Sequence, residues 1–317
     1  MAEGKKILLS GTQPSGRLHI GNYLGALRQF VELQKTHESF FMIADYHALT
    51  SVQDAGKLAE NTLNLAMDYL AIGIDPEQSV IFKQSDVPEH QELAWIFNCI
   101  TTMPYLMRAH AFKDAEAKDK ELNVGTFNYP MLMAADILLY DASVVPVGQD
   151  QKQHVEYARD IAEKFNRVFK EEVFTLPKAY IKEEVAVVPG TDGQKMSKSY
   201  KNVIPLFGTK EGLAKAVMSI VTDSSGGRPE NVYAIHKLVR SETELAPFYE
   251  EHRGSYKALK EALIEDLDRY FAPIRAKYEE LEQDLGIVAE VLEKGGAKAR
   301  AVSEAKMVKV RKAVGVA

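Results

Sequence analysis

The chain has 317 residues, 46% hydrophobic and 26% charged, with a formal net charge of −6 and a sequence pI near 5.8. That length carries one large domain and a smaller one around a sizeable core. The acidic balance excludes a protein that coats nucleic acid by bulk charge, though not one that grips RNA through local patches. The single cysteine, Cys99, excludes an internal disulfide and a multi-cysteine metal cluster.

Met1 to Lys6 is polar and is not expected to act as a secretory signal. Ile7-Leu8-Leu9 reads as a strand, and Ile20 to Gln34 as a helix with apolar positions at Leu24, Leu27, Phe30, Val31 and Leu33. Between them runs Ser10 to Asn22, with Gly11, Gly16 and Gly21. Glycines there let the backbone turn tightly and approach a ligand. The loop ends at a helix N-terminus, which favours an anion. His19 and Asn22, three residues apart, can face one ligand at that first turn. Alone, such a strand–helix turn is as readily structural as functional.

Phe40 to Ala44 is the next predicted strand, Leu58 to Ile72 a helix, and Val80-Ile81-Phe82 a strand entered through Asp75-Pro76. Pro88 opens a helix where proline is tolerated. The apolar run Trp95 to Ile100 places Cys99 in the core. Thr101 to Phe127, with Arg108, Lys113, Lys118 and Lys120, reads as an excursion from the sheet that serves a subunit contact or a lid.

Met131 to Tyr140 is the longest apolar stretch, but Asp136 breaks it, so no segment is expected to span a membrane and the expected compartment is the cytoplasm. Tyr129, Met133 and Asp136 are spaced i, i+4, i+7 and share a helix face. A carboxylate in an apolar helix is costly unless paired. It is either satisfied within the protein or accepts a ligand N–H or O–H. Val144 to Val147 reads as a strand and Asp150 to Phe169 as a helix. The alternation predicts an α/β fold with a doubly wound parallel sheet, whose ligands bind at the carboxyl ends of the strands.

Lys195-Met196-Ser197-Lys198-Ser199 follows Gly190 and Gly193. It reads as a mobile basic loop suited to a polyphosphate, the alternative being an exposed basic turn. Beyond about Asn202 the strands stop. Leu259, Leu263, Leu267, Tyr270 and Phe271 mark one apolar helix face, and Ile274, Tyr278, Leu281, Leu285 and Val288 another. The last helix, Lys294 to Lys312, holds seven basic residues against Glu304 alone, as a solvated face or as a phosphate contact to RNA. The expected domains are 1–202, nucleotide-binding and catalytic with an insertion at about 101–127, and a helical 203–317.

His19-Ile20-Gly21-Asn22 together with Lys195 to Ser199 resembles the two signature motifs of class I aminoacyl-tRNA synthetases, where the first usually reads His-Ile-Gly-His. Asn22 at the fourth position still donates hydrogen bonds. The phrase Gln13-Pro14-Ser15-Gly16 continuing to Gly21-Asn22-Tyr23-Leu24-Gly25-Ala26-Leu27 is similar to the tryptophanyl-tRNA synthetases. The related tyrosine enzymes place Gln where this chain has Met133. Val147-Gly148-Gln149-Asp150-Gln151-Lys152-Gln153-His154 is close to that family's Val-Gly-Glu-Asp-Gln-Lys-Gln-His, with Gln149 in place of Glu. Thr222-Asp223-Ser224 matches a further family phrase.

The resemblance covers essentially the whole chain. It implies a Rossmann-like class I fold with a helical anticodon-binding domain. It implies ATP-dependent activation of L-tryptophan and transfer to tRNA(Trp), in a homodimer, with Mg2+ on the phosphates held mainly by ATP rather than by a protein metal site. Lys195 and Lys198 then serve the pyrophosphate and, with His19, form the catalytic set. Gln13, Pro14, Ser15, His19, Gly21 and Asn22 hold the nucleotide, as do Met196, Ser197 and Ser199 of the loop. Gly148, Gln149 and Asp150 take the ribose side, and Val187 touches adenine. Asp136 accepts the indole N–H, and Tyr129 and Gln151 hold the α-amino group. Met133, Val145, Val147 and His47 line the ring pocket, unless His47 is a hydrogen-bonded core residue. The iron–sulfur cluster of some members is excluded by the cysteine count. Alternatives are tyrosine as substrate, a catalytically silent RNA-binding paralogue, and a small-molecule adenylyltransferase.

Overall fold

Five parallel strands form one sheet in the computed structural model, which describes residues 5–108, 123–146, 152–180, 187–222 and 227–316. They are β1 (Ile7–Thr12), β2 (Glu38–Ile43), β3 (Ser79–Lys83), β4 (Val144–Pro146) and β5 (Lys178–Tyr180), in the order β3-β2-β1-β4-β5. Alternate side chains feed two cores. Leu8, Phe41, Ile43 and Ile81 enter one, and Leu9, Phe40, Met42, Phe82 and Val145 the other. Strands apolar on both faces are what a parallel sheet covered on both sides requires. The order reverses between β1 and β4, which puts the ligand crevice above Thr12 and Pro146. β5 was not expected, because it is only three residues long and both Lys178 and Tyr180 are exposed.

The predicted helix from Ile20 to Gln34 is present in three parts: α1 (Ile20–Asn22), a π-helical turn over Tyr23–Leu27, and α2 (Arg28–Leu33). Wide turns of this kind concentrate at functional sites. α3 (Asp45–Ala48) and α4 (Ala55–Ala71) join β2 to β3, and the Asp54 carboxylate caps α4 by accepting from Lys57 N at 2.9 Å. α5 (Glu89–Ile100) buries His90, Leu93, Ala94 and Phe97. Cys99 is exposed rather than in the core, because it lies one turn beyond exposed Trp95 on the same outward face. An outer face that is itself apolar misled the composition argument. α6 (Met103–Leu106), α7 (Val124–Leu139) and α8 (Lys152–Phe169) complete this half. Lys113, Lys118 and Lys120 lie outside the described residues.

After residue 202 the described residues hold helices and no further strand: α9 (Lys210–Met218), α10 (Glu230–His236), α11 (Glu242–Glu251), α12 (Tyr256–Gln283) and α13 (Leu285–Val314). α13 returns to the sheet and covers edge strand β3. A Cβ on Gly295 would sit 1.8 Å from the Ile81 carbonyl oxygen, so only glycine permits this approach. The same helix spends part of its basic charge internally. Lys306 is buried and donates to Asp141 Oδ1 at 2.7 Å and to the Val173 carbonyl at 2.8 Å. Arg311 forks onto Glu92 at 2.8 and 2.7 Å and pairs with Glu304 at 2.7 Å. Lys298, Arg300, Lys309 and Lys312 remain exposed.

Candidate active site

The turn after β1 is built for close approach. Ser15 N donates to the Gln13 carbonyl at 2.8 Å, and Gly16 takes φ of 108°, in the left-handed region. His19 is the N-cap of α1 in extended conformation. Its N–H donates to Asn22 Oδ1 at 3.1 Å, and Asn22 N–H donates to His19 Nδ1 at 3.3 Å. His19 and Asn22 therefore brace each other. Burial, with the Lys198 charge beside it, pulls His19 down to about 4. At neutral pH the imidazole is uncharged. With Nδ1 accepting, Nε2 carries the proton and is a donor.

The lysine hairpin is organised by Asn202, which sequence reasoning treated only as a boundary. Its Oδ1 accepts from Ser197 N at 2.8 Å, while its Nδ2 donates to Asp192 Oδ1 at 2.7 Å and to the Lys195 carbonyl at 3.2 Å. Its own carbonyl accepts from Thr191 N at 2.9 Å. Met196 is buried, and its Cβ would lie 3.1 Å from a Cβ placed on Gly21, so Gly21 is where hairpin and helix touch. Ser197 and Ser199 hydroxyls pair at 2.8 Å. Lys195 and Val187 are exposed, and Lys198 is half-buried.

The two distant motifs are stitched together. Ile20 N donates to the Ile204 carbonyl at 3.0 Å, Leu206 N to the Leu18 carbonyl at 3.4 Å, and Lys198 Nζ to the Gly16 carbonyl at 2.7 Å. An ammonium thus rests on the glycine turn, beside a helix N-terminus that itself favours anions.

On the other side of the crevice, α7 buries Asp136 inside a ring of donors. Asp136 Oδ1 is bonded to Gln84 Nε2 at 2.8 Å and His90 Nδ1 at 2.6 Å, and Oδ2 to His47 Nε2 at 2.8 Å. Burial alone would raise its pKa. The hydrogen bonds and charges of His47 and His90 outweigh that and hold it down at about 2. His47 is therefore a bonded neighbour of the carboxylate rather than simply an apolar wall. His90 Nε2 lies 2.9 Å from the Tyr140 hydroxyl. Gln84, His90 and Tyr140 were missed, although Gln84 directly follows a strand end, where ligand-side residues collect.

Tyr129 and Met133 sit half-buried on α7 with Asp136, and the Tyr129 hydroxyl contacts His154 Nε2. Burial pushes the Tyr129 phenol well up, so it stays protonated. Val145 is buried in β4. Val147, Gly148, Gln149, Asp150 and Gln151 lie outside the described residues, as do Asp223 and Ser224.

With that geometry in hand, comparison with known proteins gives a consistent result. The family model for tRNA synthetases class I (W and Y) matches residues 1–286. The chain is similar to a tryptophan–tRNA ligase of Fusobacterium nucleatum, at 49% identity covering 97% of each chain. It is also similar to one of Rhodopirellula baltica, at 46% identity covering 98% of this chain and 99% of the relative. Among solved structures it is similar to tryptophanyl-tRNA synthetase from Campylobacter jejuni complexed with ADP and tryptophan. The TM-score there is 0.91 and the identity 47%, covering 98% of this chain and 99% of the other.

Proposed function

The chain belongs to the class I tRNA synthetases of the W and Y type, and from that premise we propose how its own side chains divide the work. The reaction is ATP-dependent activation of L-tryptophan to tryptophanyl-adenylate and transfer of the tryptophanyl group to tRNA(Trp). In the first step a tryptophan carboxylate oxygen bonds to the α-phosphorus of ATP, the bond to the β-bridging oxygen breaks, and pyrophosphate leaves. In the second, a hydroxyl of the terminal ribose of tRNA takes the acyl group and AMP leaves. The first step gives the protein no covalent role, so positioning and charge stabilisation carry it.

The observation that carries this reading is Lys198 resting on Gly16 at 2.7 Å. The hairpin cation already stands at the turn to which we assign the phosphates. Lys198 passes from that neutral carbonyl to the leaving pyrophosphate, joined by exposed Lys195, as the loop closes late. His19 donates from Nε2 to the nucleotide as a neutral group, with Gln13, Pro14, Ser15, Gly21 and Asn22 around it. Met196, buried against Gly21, seats the hairpin, and the Ser197 and Ser199 hydroxyls face the phosphates from it. Val187 lies against adenine, and Gly148 to Asp150 against ribose.

For tryptophan, Asp136 Oδ2 has one hydrogen-bond partner among the described residues and so keeps a lone pair for the indole N–H, with His47 orienting it. Tyr129 and Gln151 hold the α-amino group, while Met133, Val145 and Val147 enclose the ring. Phenylalanine would leave that acceptor unpaired, which rejects it more strongly than a missing methylene would.

Magnesium enters on ATP and neutralises phosphate charge. Phosphate oxygens of ATP supply its ligands, since magnesium is bound mainly through substrate phosphates and water. The helical part, 203–317, reads the anticodon of tRNA. A homodimer forms through exposed Trp95, Met103, Met107 and Val124 on α5, α6, α7 and their ends. No helix among the described residues is long and apolar enough to cross a membrane, and the compartment we assign is the cytoplasm. ATP–pyrophosphate exchange with each natural amino acid tests the reading. Exchange with tryptophan is expected, reduced about a hundredfold in Lys195→Ala and in Lys198→Ala. Exchange with tyrosine alone would overturn the substrate, and unchanged rates in both lysine variants would overturn the loop's role.

A further inference from the structure

The inner face of α4 carries a carboxylate that the steps above do not use. Asp68 is 1% exposed, and its Oδ1 has no hydrogen-bond partner among the described residues. The charges of Arg17 and Lys198 and the Leu18 amide, from the glycine turn and the lysine hairpin, all favour its ionised form. A buried unsatisfied carboxylate oxygen costs stability, and Leu or Ala would suit this helix position better. The two cations around it are placed differently. Arg17 is fixed: it donates to the Tyr278 hydroxyl and lies over the Tyr278 and Phe207 rings at 4.4 and 5.4 Å, while Tyr278 in turn donates to Asn64 Oδ1 on α4 at 3.1 Å. Lys198 donates to an uncharged acceptor, the Gly16 carbonyl.

We propose that Asp68 is a positioning residue: it supplies the counter-charge that parks Lys198 on the glycine turn before ATP arrives, and it competes with the phosphates for that ammonium. This rests on the reading of Lys198 as a phosphate ligand. Among the described residues, the charged or titratable groups that interact with the carboxylate are Arg17 from the turn, Lys198 from the hairpin, Tyr278 from α12, and Tyr69 on its own helix. Burial pushes both phenols up, so they stay neutral, and Arg17 is held in place. That leaves Lys198 as the partner able to move. Burial pushes Asp68 up to about 7 against the pull of Arg17, Lys198 and the Leu18 amide. Above that pH the ionised carboxylate retains Lys198 and opposes ATP binding. Below it the neutral acid lets Lys198 go.

Calorimetric titration with ATP tests this in the full chain at pH 6 and pH 8.5. Asp68→Asn is expected to bind ATP at least about threefold more tightly than wild type at pH 8.5, with the difference closing at pH 6. In a Lys198→Ala background the same change has no effect at either pH, since the coupling runs through the lysine. Should Asp68→Asn not fold, Asp68→Leu carries the same comparison. A gain independent of pH, a loss of affinity at pH 8.5, or an equal gain without Lys198 overturns the proposal. Wild type that neither binds ATP nor catalyses exchange would sink the functional reading itself. Intact exchange with a pH-independent ratio sinks this inference alone.

Discussion

The hydrogen bonds that hold Asp136, which we assign to tryptophan selection, also tie it to stability. Its pKa of about 2 lies below the ordinary 3.8, so unfolding takes up a proton between those values. The stabilisation is complete above about pH 5 and is lost as pH falls through 2. Asp136→Asn is expected to flatten the acid limb of the stability–pH curve, measured by denaturant melts between pH 2 and 6. The same variant is expected to lower kcat/KM for tryptophan about a hundredfold, since an amide N–H would face the donors of the cage. An acid limb identical to wild type would contradict the assignment. The sequence made Asp136 visible because an acid breaks an apolar helix. Gln84, His90 and His47 come from three other segments, and no local pattern ties them to it. The glycine turn and lysine hairpin were legible from composition and spacing, but Asn202, which shapes the hairpin, looks like any loop asparagine.

Among elements, the hairpin and the last helix each hang on a single small residue. Asn202→Ala removes the side-chain bonds to Ser197, Asp192 and Lys195. The expected result is an adenylate-formation rate down about tenfold or more, with tryptophan binding little changed, on the proposal that the hairpin serves the phosphate end. Single-turnover kinetics separate the two effects. Gly295→Ala forces α13 off β3, given the 1.8 Å approach to Ile81. Its thermal midpoint is expected to fall by several degrees, whereas Gly208→Ala, with open space around it, reports only the strain of φ 119°. Strands were readable where both faces are apolar, as in β1 to β3, and β5 was not, because three mixed residues carry no period. The break of the first helix into a π turn left no sequence signal, since its composition is that of any helix.

At the scale of the molecule, Trp95 is 70% exposed and is the only tryptophan in the chain. In a dimer formed through α5 and α6 its fluorescence moves to the blue on association. Light scattering is expected to give a dimer for wild type and a monomer for Trp95→Glu, while a monomeric wild type would contradict the interface. The switch from alternating elements to helices after about residue 202 was legible in the sequence. The return of α13 to the sheet was not, because its basic residues suggested an outward face. Lys306 and Arg311 turned out to be clamps onto Asp141 and Glu92.

That returning helix has a consequence for how the protein is made. β3 is a border strand, and the backbone that α13 screens stays bare until residues beyond 284 have left the ribosome. A chain stalled earlier would offer an open ribbon to any neighbour able to pair with it. The half that carries the sheet therefore cannot finish its own boundary, and prematurely terminated products should be found in inclusion bodies rather than as soluble fragments.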